Sequence, residues 1–219
     1  MLFGVVIYLP NVPPSYGMAL MKKRSLEQAI LQRAYFAQPT LRVAQSLIGK
    51  YLVRSIDGRS LAGKIVEVEA YVGQEDKACH ASKGRTQRTE VLFGPPGMAY
   101  VYLIYGMYHC LNVVTEREEF PSAVLIRAVD IDGELVDGPG RLCRALQIDR
   151  RLNRVDFTTG ESIWFEDRGV SVGRKDVGTY TRIGVEYAGE WAQKLWRFRL
   201  RTGTAPARTG RTKKWRGAG

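Results

Sequence analysis

Residues 51–72, YLVRSIDGRSLAGKIVEVEAYV, alternate apolar and polar side chains on either side of Asp57-Gly58. A period of two marks strands whose side chains point to opposite faces, and Asp-Gly accepts the positive φ angles of a two-residue hairpin turn. Residues 51–56 and 60–72 are therefore expected to pair antiparallel. On the second strand Val66, Val68, Ala70 and Val72 form one apolar face, and Ile65, Glu67, Glu69 and Tyr71 share the other. Two carboxylates and a tyrosine thus project from a strand backed by core. They read first as solvated acids on an exposed face, and otherwise as a pocket with a general base and stacking walls, with His80 eleven residues beyond Glu69. The residues alone leave both readings open.

Working outward, Leu41, Ala44, Leu47, Ile48 and Tyr51 recur at helical spacing after Thr40, an N-cap type, which predicts a helix ending near Gly49. Residues 73–97 form a polar loop with Lys83, Arg85 and Arg88, longer than an idle connection. Residues 98–104 and 107–115 read as two strands rich in Tyr, Val, Ile and Leu around Tyr105-Gly106. They hold Tyr100, Tyr102, Tyr105 and Tyr108 within nine positions. Four buried hydroxyls would need partners, and aromatic rings spaced along a basic chain also serve as platforms for bases, so a buried aromatic strand and a stacking surface both stand. Tyr105, at a hairpin tip, cannot be core. Further strands are expected at 122–128, 162–166, 181–185 and 195–200, a helix at 138–146 and a helical turn at 189–193. Strands outnumber helices and hairpin links dominate. The expected class is α+β, a single domain built on a curved, largely antiparallel β-sheet with flanking helices and a protruding β-hairpin.

The chain has 219 residues, 45% of them apolar, which is one domain's worth of sequence with enough apolar surface for a core, and this excludes disorder throughout. No run approaches the roughly 18 to 20 consecutive apolar residues of a membrane-spanning helix. The start MLFGVVIYLP lacks a basic flank and prolines follow at once, so no signal peptide is expected. Residues 1–24 read as a flexible extension, with Met18 and Met21 as alternative starts. Cys79, Cys110 and Cys143 are odd in number and widely spaced, and the two histidines are His80 and His109. That pattern suits neither a disulfide framework nor a metal site, so buried thiols in a reducing compartment and no metal are expected.

Lys and Arg number 33 against 22 Asp and Glu, a net charge of +11, which makes a polyanion such as nucleic acid the default partner. Six of those charges lie in residues 201–219, which carry no acid and read as a disordered basic tail. The remaining +5 over residues 1–200 is an ordinary surplus, so composition by itself does not make the folded body a nucleic-acid binder.

The runs IVEVEAY (65–71), GQEDKACH (73–80), PPGMAYVYLIYGMYHCLNVV (95–114), VLIRA (124–128), GPGRLCRAL (138–146) and IGVEYAGEWAQK (183–194) resemble the alkyladenine (3-methyladenine) DNA glycosylase family, in order along residues 41–200. The resemblance implies a glycosylase domain over residues 25–200 and assigns roles position by position. Glu69, the acid immediately before Ala-Tyr, matches the general base, and Arg127 matches a residue that helps place the water and contacts the target backbone. Tyr71, His80 and Tyr102 match residues that enclose a flipped base. Asn112 matches a discriminator against the guanine amino group, and the Ile183 carbonyl matches a water contact. Tyr105 matches the wedge that fills the vacated stack, with Gly106, Met107 and Tyr108 beside it, and Arg85 and Arg88 match phosphate contacts.

The implied activity is base-excision repair by a monofunctional enzyme. It would rotate an alkylated purine out of duplex DNA and hydrolyse its glycosidic bond with Glu69-activated water, leaving an abasic site. The implied substrates are 3-methyladenine and 7-methylguanine, with hypoxanthine as a neutral candidate. No cofactor is implied, and the expected enzyme is a monomer acting in the bacterial cytoplasm at the nucleoid, or in a eukaryotic nucleus. Between Ala128 and the GPGR run the chain has only VDIDGELVD, shorter than the family pattern, which bears on lesion range. Two other readings compete: a non-catalytic binder that shields damage, and an RNA-binding module driven by the tail.

Overall fold

The structure, a computed structural model, describes residues 29–201. The expected extension at 1–24 and the tail after Arg201 lie outside the described residues. Asp57 and Gly58 take φ angles of 48° and 74° and turn β1 (Tyr51–Ile56) onto β2 (Arg59–Val72), in register from Tyr51↔Lys64 to Ile56↔Arg59. β2 is the spine of the sheet. One side of it pairs with β1 and then with the C-terminal strand Arg197–Leu200, and the other side pairs with Ser122–Ile131.

In chain order the remaining strands are β3 (Ala99–Ile104), β4 (Tyr108–Val114), β5 (Ser122–Ile131), β6 (Glu134–Asp137), β7 (Ile163–Glu166), β8 (Val177–Tyr180) and β9 (Arg197–Leu200). The sheet runs β3-β4-β5-β2-β1-β7, with β6 hydrogen-bonded to β5 and β8 to β9, and every pairing is antiparallel. With α1 (Arg33–Phe36), α2 (Thr40–Leu47) and α3 (Pro139–Ala145), this is the expected α+β class, an open nine-stranded sheet with few helices.

The helices cover one face of the sheet. Val43, Ala44 and Leu47 of α2 and Leu142 and Cys143 of α3 join Val68, Ala70, Val101, Leu111, Val124 and Ile126 in one buried cluster. Complete burial of each valine, leucine or isoleucine among them stabilises the fold by about 1.5–3 kcal/mol. Across the sheet, loop 73–97 contributes Cys79, Ala81, Val91, Leu92 and Phe93, which pack on Tyr100, Val114 and Ala123. That loop is therefore a second, smaller wall and not an idle link.

Several expectations need correction. Ile65 does not share a face with Glu67: it is fully buried in the main core with Val68 and Ala70. The β2–β5 register slips twice, leaving Val66 on β2 and Arg127 on β5 without opposite residues, and an extra residue inverts the alternation on either side of it. Thr40 is the first helical residue of α2 and does not cap it with its side chain. Its N–H and hydroxyl both donate to Glu116 Oε1, at 2.7 and 3.0 Å, so a distant carboxylate does the capping.

Residues 181–185 are not a strand, and the preceding residues form β8 in their place. The Ile183 backbone N–H is taken by the Glu69 carboxylate and so is not available to a ladder. The short VDIDGELVD segment is accounted for in full: β5 continues to Ile131, Asp132 and Gly133 turn with φ of 53° and 94°, and β6 returns along it.

Candidate active site

On the face of β2 away from the main core, residues of β2, β3, β4, β5, α3, loop 73–97 and loop 181–185 surround an open cavity of about 990 Å³. Ten of the thirteen residues singled out from the sequence line it: Glu69, Tyr71, His80, Arg88, Tyr102, Tyr105, Tyr108, Asn112, Arg127 and Ile183. Gly106, Met107 and Arg85 stand outside its lining.

Glu67 and Glu69 are both buried, so neither is a solvated surface acid. Their surroundings separate them. Glu67 accepts from Arg197 Nη1 at 2.8 Å and Arg199 Nη1 at 2.7 Å and lies 3.6 Å from Arg127 Nε, so its oxygens are taken up by neighbouring arginines. Glu69 faces the cavity. Its Oε1 accepts the Ile183 N–H at 2.8 Å, its Oε2 accepts the Tyr71 hydroxyl at 2.8 Å, and Arg127 Nη1 lies 3.4 Å from Oε2. Burial pushes the Glu69 carboxyl above the usual carboxylate range, and Arg127, the Ile183 N–H, the Tyr71 hydroxyl and Arg197 pull against it. Arg127 reaches this position as the extra residue of the β5 irregularity. A carboxylate with fixed orientation and a raised pKa is suited to accept a proton from water near neutral pH.

The walls are aromatic. His80 opens a 3₁₀ turn, Nδ1 shares a 2.9 Å hydrogen bond with the Tyr100 hydroxyl, and its ring meets Tyr102 edge-on at 4.6 Å. Desolvation, with Arg88 and Lys83 nearby, lowers the His80 pKa to about 4. The imidazole is therefore neutral at physiological pH and does not repel a cation in the cavity. Tyr71 and Tyr102 are pushed upward mainly by burial, which keeps their hydroxyls protonated. Asn112 is buried on β4 and donates from Nδ2 to the Tyr100 carbonyl at 3.1 Å. The strand tyrosines thus answer the question left by the sequence: Tyr100 is buried with its hydroxyl on His80, and Tyr102 forms a wall.

At the mouth, the β3–β4 hairpin carries Tyr105 and Gly106 in the left-handed region, with φ of 53° and 70°, and the Met107 N–H closes the turn on the Ile104 carbonyl at 3.2 Å. Tyr105 is 82% and Met107 66% exposed. Tyr108 lies on α3 at Gly140, where an added Cβ would come within 2.9 Å of its ring. These exposed apolar side chains stand together at and beside the hairpin tip.

Arg88 sits 5.2 Å from the Tyr102 ring centre and borders the cavity. Arg85 is engaged elsewhere: it pairs with Glu119 and Glu90 and stacks on Phe93, so a phosphate would have to draw it from those partners. Residues not anticipated from the sequence are the arginines that hold Glu67, Arg141 and Arg144 at the rim, and a buried Asp76–Arg182 pair. For the arginines the signal was their excess, which does not say which of them turn inward, and Asp76 carried none. The three cysteines are free and buried, and among the described residues no three His, Cys, Asp or Glu side chains converge as metal ligands would. Among the described residues no helix is long and apolar enough to cross a membrane.

The site thus combines an acid held in an aromatic cavity with a projecting aromatic hairpin on an α+β domain. The chain belongs to the methylpurine-DNA glycosylase family, whose model matches residues 34–204. It is 49% identical over 185 residues to a protein of Methanocella arvoryzae, covering 77% of this chain and 91% of that one. It is 48% identical over 174 residues to one of Legionella pneumophila strain Corby (78% and 94% covered) and 48% identical over 176 residues to one of Myxococcus xanthus (78% and 90%). Each of these relatives is named provisionally as a 3-methyladenine DNA glycosylase.

Proposed function

We propose that this protein removes 3-methyladenine and 7-methylguanine from duplex DNA by base flipping and hydrolysis at C1′, leaving an abasic site. The observation that carries the reading is Glu69: buried at the cavity, held by the Ile183 N–H and the Tyr71 hydroxyl, and 3.4 Å from Arg127. A base inside a duplex is out of reach of such a carboxylate, so the nucleotide must rotate out, at an unstacking cost of a few kcal/mol. Tyr105 enters the gap, and Met107 and Tyr108 pack beside it.

An N3- or N7-alkylated purine is cationic. Tyr71, Tyr102 and neutral His80 favour it over an uncharged base by about 0.5–2 kcal/mol through their ring faces. The same charge makes it a good leaving group, so a single carboxylate suffices: Glu69 takes a proton from water as the bond breaks and stabilises the cationic sugar, with Arg127 and the Ile183 carbonyl orienting that water. No lysine lines the cavity among the described residues, which supports water as the nucleophile and a monofunctional enzyme without strand cleavage. Asn112 discriminates against the guanine amino group where it is not offset by a good leaving group. Arg88 holds a flanking phosphate, and Arg85 does so once released from Glu119. The enzyme acts as a monomer on cellular DNA, in the cytoplasm at a nucleoid or in a nucleus. Its domain spans residues 25–200, and the basic tail adds non-specific affinity.

Duplexes carrying one 3-methyladenine, 7-methylguanine or hypoxanthine, incubated with the protein and then treated with alkali, report excision as a break at the lesion. Cleavage at both alkylated purines is expected. Glu69→Gln is expected to lose at least about 100-fold in single-turnover rate while still binding abasic DNA. No cleavage by folded wild-type protein, with binding retained, would establish the non-catalytic shield instead.

A further inference from the structure

Behind Glu69 and Tyr71 lies a second charged pair that the chemistry above does not use. Arg182 and Asp76 both have 0% side-chain exposure. Arg182 Nη1 donates to Asp76 Oδ2 at 2.5 Å and to the Ala70 carbonyl at 2.9 Å. Its Nη2 donates to Asp76 Oδ1 at 2.9 Å and to the Trp191 carbonyl at 3.0 Å. The guanidinium lies 4.8 Å from the ring centre of Tyr71 and 5.0 Å from that of Trp196. Asp76 also accepts the N–H groups of Val72 and Ala78 at 3.1 Å.

Taking both charges out of water is costly, and a buried ion pair is weak evidence of net stabilisation, so its geometry needs another reason. The contacts supply one. Ala70 stands between Glu69 and Tyr71 in β2, and Arg182 immediately precedes Ile183, whose N–H holds Glu69 Oε1. One rigid guanidinium therefore ties the backbone beside the acid to the loop that delivers the acid's hydrogen-bond donor, and lies against the ring of the tyrosine that bonds the acid's other oxygen. Lysine, with one point charge, has no fork with which to hold a carboxylate and two carbonyls in a plane.

We infer that Arg182, oriented by Asp76, is a positioning residue for base excision: it sets the Ile183 N–H against Glu69 and the Tyr71 ring against the cavity without touching substrate. The inference rests on the reading of Glu69 as the general base. Loosening loop 181–185 removes a donor that favours the ionised carboxylate, so the Glu69 titration moves to higher pH. The other groups facing that carboxylate are Arg127 on β5, Arg197 on β9, Glu67 and Tyr71 on β2, and Tyr102 and Cys110 on the β3–β4 hairpin; Tyr71 loosens with Arg182, and the loss of its hydroxyl donor moves the titration in the same direction.

The test uses the full chain with Arg182→Lys, Arg182→Met and Asp76→Asn. The measurements are single-turnover release of 7-methylguanine across pH 5–9, affinity for an abasic duplex, thermal unfolding, and titration of the Glu69 carboxyl followed by NMR. The expected result is a rate loss of about tenfold to a hundredfold, with abasic affinity held within about threefold. The acid limb and the Glu69 titration should both move up by about half a pH unit or more. Arg182→Lys should recover stability better than rate.

Variants that lose stability but keep the wild-type rate and pH profile would overturn the inference, leaving the pair a structural staple. If Arg182→Met does not fold, Asp76→Asn, which keeps the side chain's shape, decides by the same readouts. If the wild type releases no base, the excision reading fails. The Glu69 titration still judges the positioning contact by itself, an unmoved midpoint overturning it.

Discussion

Glu69 and Glu67 are chemically identical and two positions apart, yet their surroundings give them different work. Three arginines approach Glu67, whereas Glu69 has one arginine, one hydroxyl and one N–H and faces a cavity. The balance at Glu69 favours burial, so its pKa is raised. A base must be ionised to work; the rate therefore rises with pH through the raised value, and the acid limb of single-turnover excision is expected above the ordinary Glu value of about 4.3. His80, pushed down to about 4, stays neutral above pH 5 and does not obscure that limb. A rate independent of pH between 5 and 7 on folded enzyme would contradict this account of Glu69. The resemblance in sequence singled out Glu69, but the residue types alone could not, because desolvation and partners are properties of the folded surroundings.

Two elements place these residues, and each can be perturbed without touching the acid. The β3–β4 hairpin was legible in the sequence because its signals are local: alternation on both arms and a Tyr-Gly pair that accepts positive φ. Tyr105→Ala keeps the strands and removes only an exposed ring. We expect excision at limiting enzyme to fall about tenfold or more, with thermal stability unchanged, since the wedge offsets the unstacking cost. The start of α2 was legible at Thr40 but its cap was not, since the capping group is Glu116, seventy-six residues away. Glu116→Ala is expected to lower stability by about 0.5–2 kcal/mol in denaturant unfolding, and Glu116→Gln, which keeps an acceptor oxygen, by less. Equal losses in the two variants would mean that the cap carries no such weight.

For the whole molecule, the charge of +11 divides unevenly. The chain after Arg201 carries Arg208, Arg211, Lys213, Lys214 and Arg216 and no acid. Deleting residues 202–219 is expected to flatten the dependence of log affinity on log salt by as much as about four units while leaving single-turnover excision unchanged. An unchanged slope would assign DNA binding to the folded body alone. Within that body many arginines are spent on internal pairs: Arg182 with Asp76, and Arg127, Arg197 and Arg199 around Glu67. The count of arginines therefore overstates the basic groups a duplex meets at the surface, whereas the net charge, to which each internal pair adds nothing, does not.

The sequence by itself determined the hairpins, the α+β class and the kinds of residue available for chemistry. Period-two alternation and turn propensity act over a few residues and survive any tertiary arrangement. Only the tertiary structure decided which side chains meet. Ile183 reaches Glu69 from 114 positions away, and Arg182 reaches Asp76 from 106. The paired irregularities in β2 and β5 turn Ile65 into the core and Arg127 towards the acid. Such contacts form only when the strands and loops assemble on the spine of the sheet, and local pattern carries no record of partners brought together by that assembly.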